Sequence, residues 1–507
     1  MPLDDAALAR IAPYVSSTTD DVFALSGLPE EVIAVLFAYY SRSRDDLRTN
    51  LSRLLTDQEI DVVEGTAARP SFGLATQKAR AFHEKWVVGY GHASVAEHAV
   101  VHLALENVSI VASKIIEDLR LGSFTEKSTR YVVFDRNSFV DLPVLGDELT
   151  PIYRQACEKL FSTYLDLMPA VTQALEARVP RGTMTEGAYA AAIRAQACDL
   201  LRGLLPAGTR TNIGLSANAR ALEGLLSKMF SSPLLEVRTL AASMHRASLT
   251  VVPTLVKYAK ENAYRMSLRD VVQDKLRTIY DPGPWDAFAT NVVGQPVRLV
   301  HHDKDAMERI LLALAYEGSE PVVHVRGILE ALKHATKAER EGLLRAALAR
   351  RGPHDPACRA FEATSMTFEL LLDYGAYRDL QRHRMLTPST QRLTCRLGFE
   401  TPAELSEFGL AATYAQAMID AVESWEEIEK HFPLEAQYAV PLGFRVRTLW
   451  TLNLREAIHV VELRSAKQGH ASYRRIAQAM YRTLIHLHPW LEGLLRVDLE
   501  DHALARS

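Results

Sequence analysis

The chain has 507 residues, of which 48% are hydrophobic and 24% charged, and its formal net charge at pH 7 is -4. This length predicts two domains rather than one core, and the composition is typical of a soluble globular protein. The weakly negative charge argues against a general binder of nucleic acid, which would be strongly basic. The four cysteines form no CxxC pair, which favours reduced thiols over a disulfide framework or a zinc site.

The N-terminal segment Met1-Pro2-Leu3-Asp4-Asp5 is acidic and has no apolar core, so we do not expect a signal peptide. No apolar stretch reaches the ~18 residues that a membrane span requires. The sequence therefore predicts a cytoplasmic protein without a membrane partner.

The first half of the chain alternates predicted helices with a predicted strand. Leu28-Pro29-Glu30 predicts a helix start, and the apolar run that follows predicts that this helix is buried. The run Ala99–Leu105 favours a buried strand, and we expect Ser123–Arg130 to form a loop. Further helices are predicted at 75–90, 111–119, 151–178 and 187–205.

The second half begins after the turn-forming cluster Tyr280-Asp281-Pro282-Gly283-Pro284. Strands are predicted at 296–300 and 368–372, and helices at 305–316, 337–351, 454–463 and 471–487, with the triplet Arg382-His383-Arg384 on a helix. Alternating helices and short antiparallel strands predict an α+β fold, present once in each half.

Two pairs of segments indicate that the halves are copies of each other. Arg382-His383-Arg384 and Asp118-Leu119-Arg120 are 264 residues apart, and a hydroxyl residue follows the third position of each triplet at the same offset. Pro206 precedes Asn218-Ala219-Arg220 by the same interval at which Pro441 precedes Asn453-Leu454-Arg455. We therefore predict a tandem duplication with copies at 1–280 and 285–507.

Several of these segments could bind an anion. The second-copy triplet and the hydroxyl residues after it would offer guanidinium and hydroxyl donors to a phosphate, although a solvated basic helix end is the simpler interpretation. In the first copy, Ser128 and Arg130 are two residues apart on an extended segment and can face one phosphate. Arg455, His459 and Glu462 fall on one helix face, where an ion network between helices is the alternative.

A metal site is a weaker possibility. His98 and His102 are four residues apart, as zinc ligands on a helix are, but their apolar neighbours favour a strand, which would separate them by roughly 13 Å. We therefore predict no metal site. No glycine-rich dinucleotide or phosphate loop and no GxSxG element is present, so those enzyme classes lack their key signals.

Together these segments resemble the flavin-dependent thymidylate synthases. The family's Gly-His-x-Ser element is similar to Gly91-His92-Ala93-Ser94-Val95-Ala96-Glu97-His98. Its Arg-His-Arg signature is matched at the head by Arg382, His383 and Arg384, and at the tail by Ser123, Glu126, Ser128, Arg130 and Tyr131. Its Arg-x-x-Leu-Pro element followed by Asn-x-Arg is matched by Arg202 to Pro206 with Asn218 and Arg220, whereas the second copy has Gln437 but keeps Asn453 and Arg455.

The resemblance implies methylation of dUMP to dTMP, with FAD as cofactor and with NADPH and methylenetetrahydrofolate as co-substrates. It implies two copies of a fold in which long helices flank an antiparallel sheet. The residue roles that it implies are cofactor binding by His92, Ser94, Glu97, Arg382, His383, Arg384, Asn453 and His459, substrate binding by Glu126, Ser128, Arg130, Arg202, Arg220 and Arg455, and catalysis by Arg220 and Arg455.

Each copy departs from the family pattern in a different place. Asp118-Leu119-Arg120 replaces the triplet in the first copy, and Arg392 and Thr394 replace the serine and arginine of the nucleotide loop in the second. Because the losses are complementary, we predict a composite site between unlike copies. We also predict a homodimer that imitates the family's tetramer, with two competent and two defunct pockets.

Three alternatives remain open at this point. The chain could be a flavin- or nucleotide-binding relative that serves as a sensor or scaffold without synthase activity. It could be a flavoenzyme that acts on a different pyrimidine or one-carbon donor. Binding of RNA through a basic patch is disfavoured by the net charge.

Overall fold

The computed structural model describes residues 3–40, 45–56, 73–84, 93–279 and 295–502. The predicted turn at 280–284, His92 and the glycines at 89 and 91 lie outside these residues. The first-copy elements are α1 Asp5–Ile11, α2 Glu30–Tyr40, α3 Leu47–Thr56, α4 Gly73–His83, β1 Val100–Ser109, α5 Ile110–Glu117, β2 Gly122–Glu126, α6 Gly146–Arg178, α7 Glu186–Leu201, β3 Arg210–Asn218, α8 Ala219–Phe230, α9 Leu235–Ser248 and α10 Ala263–Ile279.

After an initial strand and three helices, the second copy repeats the order of helices and strands that runs from β1 to α9 in the first copy. Its elements are β4 Val297–His302, α11 Ala306–Gly318, α12 Val325–His334, α13 Lys337–Ala349, β5 Met366–Asp373, α14 Tyr374–Leu380, β6 Thr387–Thr390, α15 Ala403–Glu407, α16 Ala411–His431, β7 Arg445–Leu452, α17 Leu454–Ser465 and α18 Ala471–Leu487. The α+β prediction is confirmed. In the described part of the chain, no helix is both long enough and apolar enough to span a membrane.

The two sheets have the same core topology. The first has strand order β1-β3-β2, and the second has β5-β7-β6 with β4 added beside β5. Ser123 pairs with Ser216 between β2 and β3, and Thr387 pairs with Thr451 between β6 and β7. These pairs are equivalent under the sequence offsets of the repeat, so both copies have the same strand register.

Two details of the predicted secondary structure are wrong. Gly122–Glu126 forms an edge strand rather than a loop, because its backbone pairs with β3 although its side chains are mostly polar. The triplet Arg382-His383-Arg384 lies in the turn after α14 rather than on a helix. The turn lets His383 point inward and leaves Arg382 exposed.

The chain divides by packing into two compact units. The first comprises Met1–Asn107, Ile115–Glu126 and Asn212–Ile279, and the second comprises Val108–Lys114, Lys127–Thr211 and Tyr280–Ser507. The core of the first unit includes apolar side chains of α1 to α4, such as Ile11, Val32, Leu51 and Leu55. First-copy residues 127–211 thus belong to the same compact unit as the second copy.

Within the second unit, the two copies meet through equivalent residues. Pro206 forms an antiparallel bridge with Pro441, its counterpart in the repeat. Two reciprocal backbone hydrogen bonds of 2.8 Å flank this bridge, from Ala207 N–H to the Val440 carbonyl and from Leu442 N–H to the Leu205 carbonyl. Each bond joins the residue pair that the repeat makes equivalent to the other pair, as in an interface with two-fold symmetry. The symmetry here is local and relates two parts of one chain.

Glycine at this junction permits close packing. A side chain at Gly203 would collide with the Tyr414 hydroxyl, and one at Gly443 would lie 2.7 Å from the same oxygen. Tyr414 is buried on α16 and donates its hydroxyl to the Glu400 carbonyl. The junction thereby brings the first-copy segment at 199–203 close to second-copy residues.

Candidate functional site

Arg130 lies in a mostly buried cluster that includes residues of both copies. Its Nε and Nη2 donate to the Asp199 carboxylate over 2.6 and 2.7 Å, and its Nη1 donates to the Tyr473 hydroxyl over 3.2 Å. Burial opposes ionisation of Asp199, but the hydrogen bonds from Arg130 together with the nearby charges, including those of Arg130 and Arg202, outweigh burial and lower the pKa of the carboxyl. The guanidinium and its partner therefore remain charged in the interior.

Arg202 joins the first copy to the second in the same cluster. Its Nη1 donates to Asp379 Oδ2 over 2.9 Å, and its side chain is only 4% exposed. Burial raises the pKa of Asp379, but Arg202, Arg130 and Arg382 more than offset this and hold it well below the usual range. The buried Nη2 of Arg202 has no hydrogen-bond partner within the described chain.

We define the composite cluster as the six groups Arg130, Asp199, Arg202, Asp379, Arg464 and Tyr473, together with the exposed Arg382. Arg130 and Arg464 both lie over the Tyr473 ring, at 5.8 and 5.6 Å from its centroid. Four guanidinium groups and two carboxylates leave a formal charge of +2 in a chain whose net charge is -4. The arrangement can attract an anion.

His383, at the centre of the triplet, is buried and hydrogen-bonds to two side chains of α17. Its Nε2 accepts from Arg464 Nε over 2.8 Å, so its Nδ1 carries the proton that it donates to Glu456 over 3.0 Å. Burial lowers the pKa of His383, and Arg464 lowers it further. The His459 ring packs edge-on against it at 5.2 Å. The neutral histidine thus links the triplet to α17.

A cavity of about 630 Å³ lies beside the triplet, and its lining includes three predicted site residues, Asn453, Arg455 and His459. Arg455 donates to the Ala357 carbonyl and to Glu362 over 2.7 and 2.6 Å. The Asn453 side chain accepts from the backbone N–H of Glu456 and caps α17. Arg455, His459 and Glu462 all line this cavity, which confirms that they share one helix face.

All but one of the remaining predicted residues that the structure describes are in the first copy; the exception is Arg384. Arg220 pairs with Glu97 over 2.5 Å, both partly exposed, and Asn218 caps α8 as Asn453 caps α17. Ser94 is exposed in a short 3₁₀ segment, Glu126 ends β2, and the Ser128 hydroxyl accepts from Arg130 N–H over 3.2 Å. Arg384 is half-buried in the turn after α14.

The histidines considered as metal ligands have other partners. His98, at the end of the 3₁₀ segment, packs against the Phe37 ring of α2. His102 Nδ1 on β1 lies 2.6 Å from Ser216 Oγ on β3. Among the described residues, Asp498, Glu500 and His502 converge within 4.8 Å of one another, and His502 already bonds Asp498 over 2.7 Å.

Sequence reasoning missed Asp199, Asp379 and Tyr473 as members of a site. Asp199 and Asp379 each lie among mostly uncharged residues of a helix, a pattern that also describes a solvated position. The one available signal is the spacing of Asp199 and Arg202, which places both at the end of α7.

Comparison with known sequences shows the relationship directly. A sequence model of the thymidylate synthase complementing protein family, Thy1, matches residues 36–254 and 298–490. The chain belongs to this family. Because the family pattern matches once in each half, the predicted tandem duplication of the thymidylate-synthase-like fold is confirmed.

The relatives fall into two groups. The UPF0159 protein of Chlamydia pneumoniae is 34% identical over 98% of this chain and 95% of its own length. The UPF0159 protein Ta1429 of Thermoplasma acidophilum is 30% identical over 84% of this chain and 90% of its own. The flavin-dependent thymidylate synthase of Geobacter sulfurreducens is 29% identical, over 37% of this chain and 72% of its own.

A solved structure, thymidylate synthase X from Helicobacter pylori with FAD and dUMP, is 19% identical. It covers 39% of this chain and 99% of its own, with a TM-score of 0.30. The full-length similarity is thus to the UPF0159 proteins, and the similarity to named synthases extends over about a third of the chain.

Proposed function

We propose that this protein is an FAD-dependent thymidylate synthase that methylates dUMP at the composite cluster. One observation carries the proposal: nucleotide-loop Arg130 and Arg202 of the first copy lie with Asp379 and Arg382 of the second in one compact unit. Each copy lacks what the other supplies. The proposed chemistry is that of the family, carried out by two unequal copies.

In this proposal the +2 cluster holds the nucleotide phosphate. Arg382 and Arg464 have no carboxylate in direct ion pairing within the described chain. Asp199 fixes the planar guanidinium of Arg130 through two parallel hydrogen bonds, which orients its remaining donor. Positioning by fixed charges is what transfer of a one-carbon unit to a uracil ring requires.

The cavity beside the triplet fits the ring system of a flavin. Its volume of about 630 Å³ is within the range of ligand pockets, and the buried Nε of Arg351 has no hydrogen-bond partner in the described chain. Two arginines of its lining, Arg455 and Arg351, are ion-paired with Glu362 and Glu462.

Bound FAD would supply the redox step, with NADPH as reductant and methylenetetrahydrofolate as one-carbon donor. Arg455, and Arg220 in the other copy, would polarise the uracil ring, with Asn453 and His459 lining the flavin cavity. His92, Ser94 and Glu97 would complete a flavin site from another chain in a cytoplasmic homodimer. Light scattering at micromolar concentration tests the dimer.

The central experiment measures the visible absorbance of the purified protein and its change on titration with dUMP. Arg130→Gln should weaken dUMP binding by roughly 10- to 100-fold, the range for losing a charged hydrogen bond. Arg392→Gln is the matched control, because Arg392 replaces Ser128 in the second copy. In R130Q the buried Asp199 carboxylate loses its partner, which could also destabilise the fold. The double variant R130Q/D199N removes that charge as well, so it separates a loss of dUMP binding from a loss of folding.

A protein that neither contains nor takes up FAD and does not bind dUMP would contradict the proposal. So would an R130Q variant with unchanged dUMP affinity.

The second candidate is a nucleotide-binding homologue without synthase activity. It is favoured by the engagement of Arg130 and Arg202 with Asp199 and Asp379, since a phosphate must compete with these buried carboxylates. Flavin and dUMP binding without dUMP-dependent NADPH oxidation would select this candidate. Methylation of another pyrimidine nucleotide would instead indicate a changed substrate.

A further inference from the structure

A second cavity, of about 210 Å³, lies at the start of α18 within the second compact unit. Its lining includes Arg202, His470, Ser472, Glu404 and Asp501. The volume is below the roughly 300–1,000 Å³ of pockets for drug-sized ligands. The cavity is therefore suited to a small molecule rather than to a whole nucleotide.

Arg202 supplies an available donor to this cavity. The residue is 3% exposed, its Nη1 donates to Asp379, and its buried Nη2 has no hydrogen-bond partner in the described chain. A buried, unpaired guanidinium N–H is unfavourable unless an acceptor reaches it. A ligand with an anionic oxygen would provide that acceptor.

The beginning of α18 favours the same kind of ligand group. This helix has 17 residues, and His470 caps it by accepting from Ser472 N–H over 3.2 Å. His470 Nε2 donates to the Asp199 carbonyl over 3.3 Å, so the ring is neutral; burial and the charge of Arg202 lower its pKa to about 4. The helix N-terminus then adds a partial positive charge without a histidine cation.

Asp373 and Asp199 line the cavity, are largely buried, and already have partners. Asp373 accepts from Ala376 N–H over 2.8 Å and from the Ser472 hydroxyl, and Asp199 is held by Arg130. These interactions satisfy both carboxylates, so the inner end of the cavity retains the free donor of Arg202 and the helix N-terminus.

The outer part of the cavity has the opposite character. Glu404 on α15 and the exposed Asp501 have no hydrogen bond or ion pair from their side chains within the described chain. Arg475 is also present there and is exposed. Two unpaired carboxylates against one exposed guanidinium favour a cationic group at this end.

We propose that this cavity binds a small α-amino acid. Its carboxylate would meet Arg202 and the start of α18, and its ammonium group would face Glu404 and Asp501. A zwitterion matches both ends of the cavity, whereas an anion or a cation alone matches one. The proposal goes beyond the proposed function and requires neither flavin nor dUMP.

Isothermal titration of the full chain tests the proposal, with glycine, serine and glutamate as probes and with acetate and ethylamine as half-ligands. At least one amino acid should bind at least about tenfold more tightly than either half-ligand, since each half makes only one of the two charged contacts. Failure of all three amino acids to bind at about 10 mM would overturn the proposal. Equal affinity for acetate would also overturn it.

Glu404→Gln should weaken amino-acid binding roughly tenfold, while Glu423→Gln on the exposed face of α16 should leave it unchanged. Unchanged affinity in E404Q would contradict the assignment. Because Glu404 is not part of the composite cluster, E404Q should bind dUMP as the parent protein does. The dUMP titration thus reports failure of the proposed function separately from failure of the amino-acid site.

Discussion

Asp379→Asn tests the contact between the two copies most directly. It removes the charge that opposes Arg202, whose side chain is 4% exposed, while Asp379 itself is 15% exposed. Breaking a buried ion pair by removing one partner costs about 3–5 kcal/mol. Because Asp379 also offsets Arg130 and Arg382, we expect a value near the middle of that range or above it, about 4 kcal/mol.

Thermal unfolding followed by circular dichroism measures this loss. About 4 kcal/mol corresponds to a midpoint lower by roughly 8 °C for a cooperative unit of this size. Glu407→Gln is the matched control, since the Arg178–Glu407 pair also joins the copies but has side chains 34% and 56% exposed. An exposed pair should contribute less than about 1 kcal/mol.

The double variant R202M/D379L provides the decisive comparison. Replacing both charges by apolar groups removes the unpaired buried charge, so it should recover most of the stability lost in D379N. The reasoning would be refuted if D379N unfolded at the same temperature as E407Q. It would equally be refuted if the double variant were less stable than the single one.

Three further predictions concern packing, capping and pH. Gly203→Ala should cost about 1–3 kcal/mol through collision with the Tyr414 hydroxyl, and adding Tyr414→Phe should recover part of it in a urea titration. Asn453→Ala should cost about 1 kcal/mol as a lost helix cap, whereas Asn453→Ser should be nearly neutral; equal losses would contradict the capping role. Burial and the charge of Arg202 lower the pKa of His470 to about 4, against about 6.5 in the unfolded chain. The unfolded chain therefore binds more protons, and the free energy of unfolding should fall from pH 6.5 to pH 4. H470Q should flatten this slope when the unfolding midpoint is measured against pH, and parallel curves for the two proteins would exclude His470 as the cause.

Much of the fold was predictable because its signals are local. Short, mostly apolar runs placed β1 and β5, and helical periodicity placed α6, α7, α17 and α18, within a few residues of their observed bounds. The repeat offsets predicted that Asn218 and Asn453 occupy equivalent places, and both cap the helix that follows a strand. The strand at Gly122–Glu126 escaped prediction because an edge strand need not bury alternate side chains.

The composite cluster has a different origin. The sequence by itself determined that each copy lacks part of the family pattern, and it named Arg130, Arg202 and Arg382 as candidates. Only the tertiary structure decided that Arg202 meets Asp379 across 177 positions of sequence and that Arg130 meets Tyr473 across 343. Residue periodicity reports contacts within a helix or between paired strands, whereas these partners are set by the reciprocal packing of the two copies around Pro206 and Pro441.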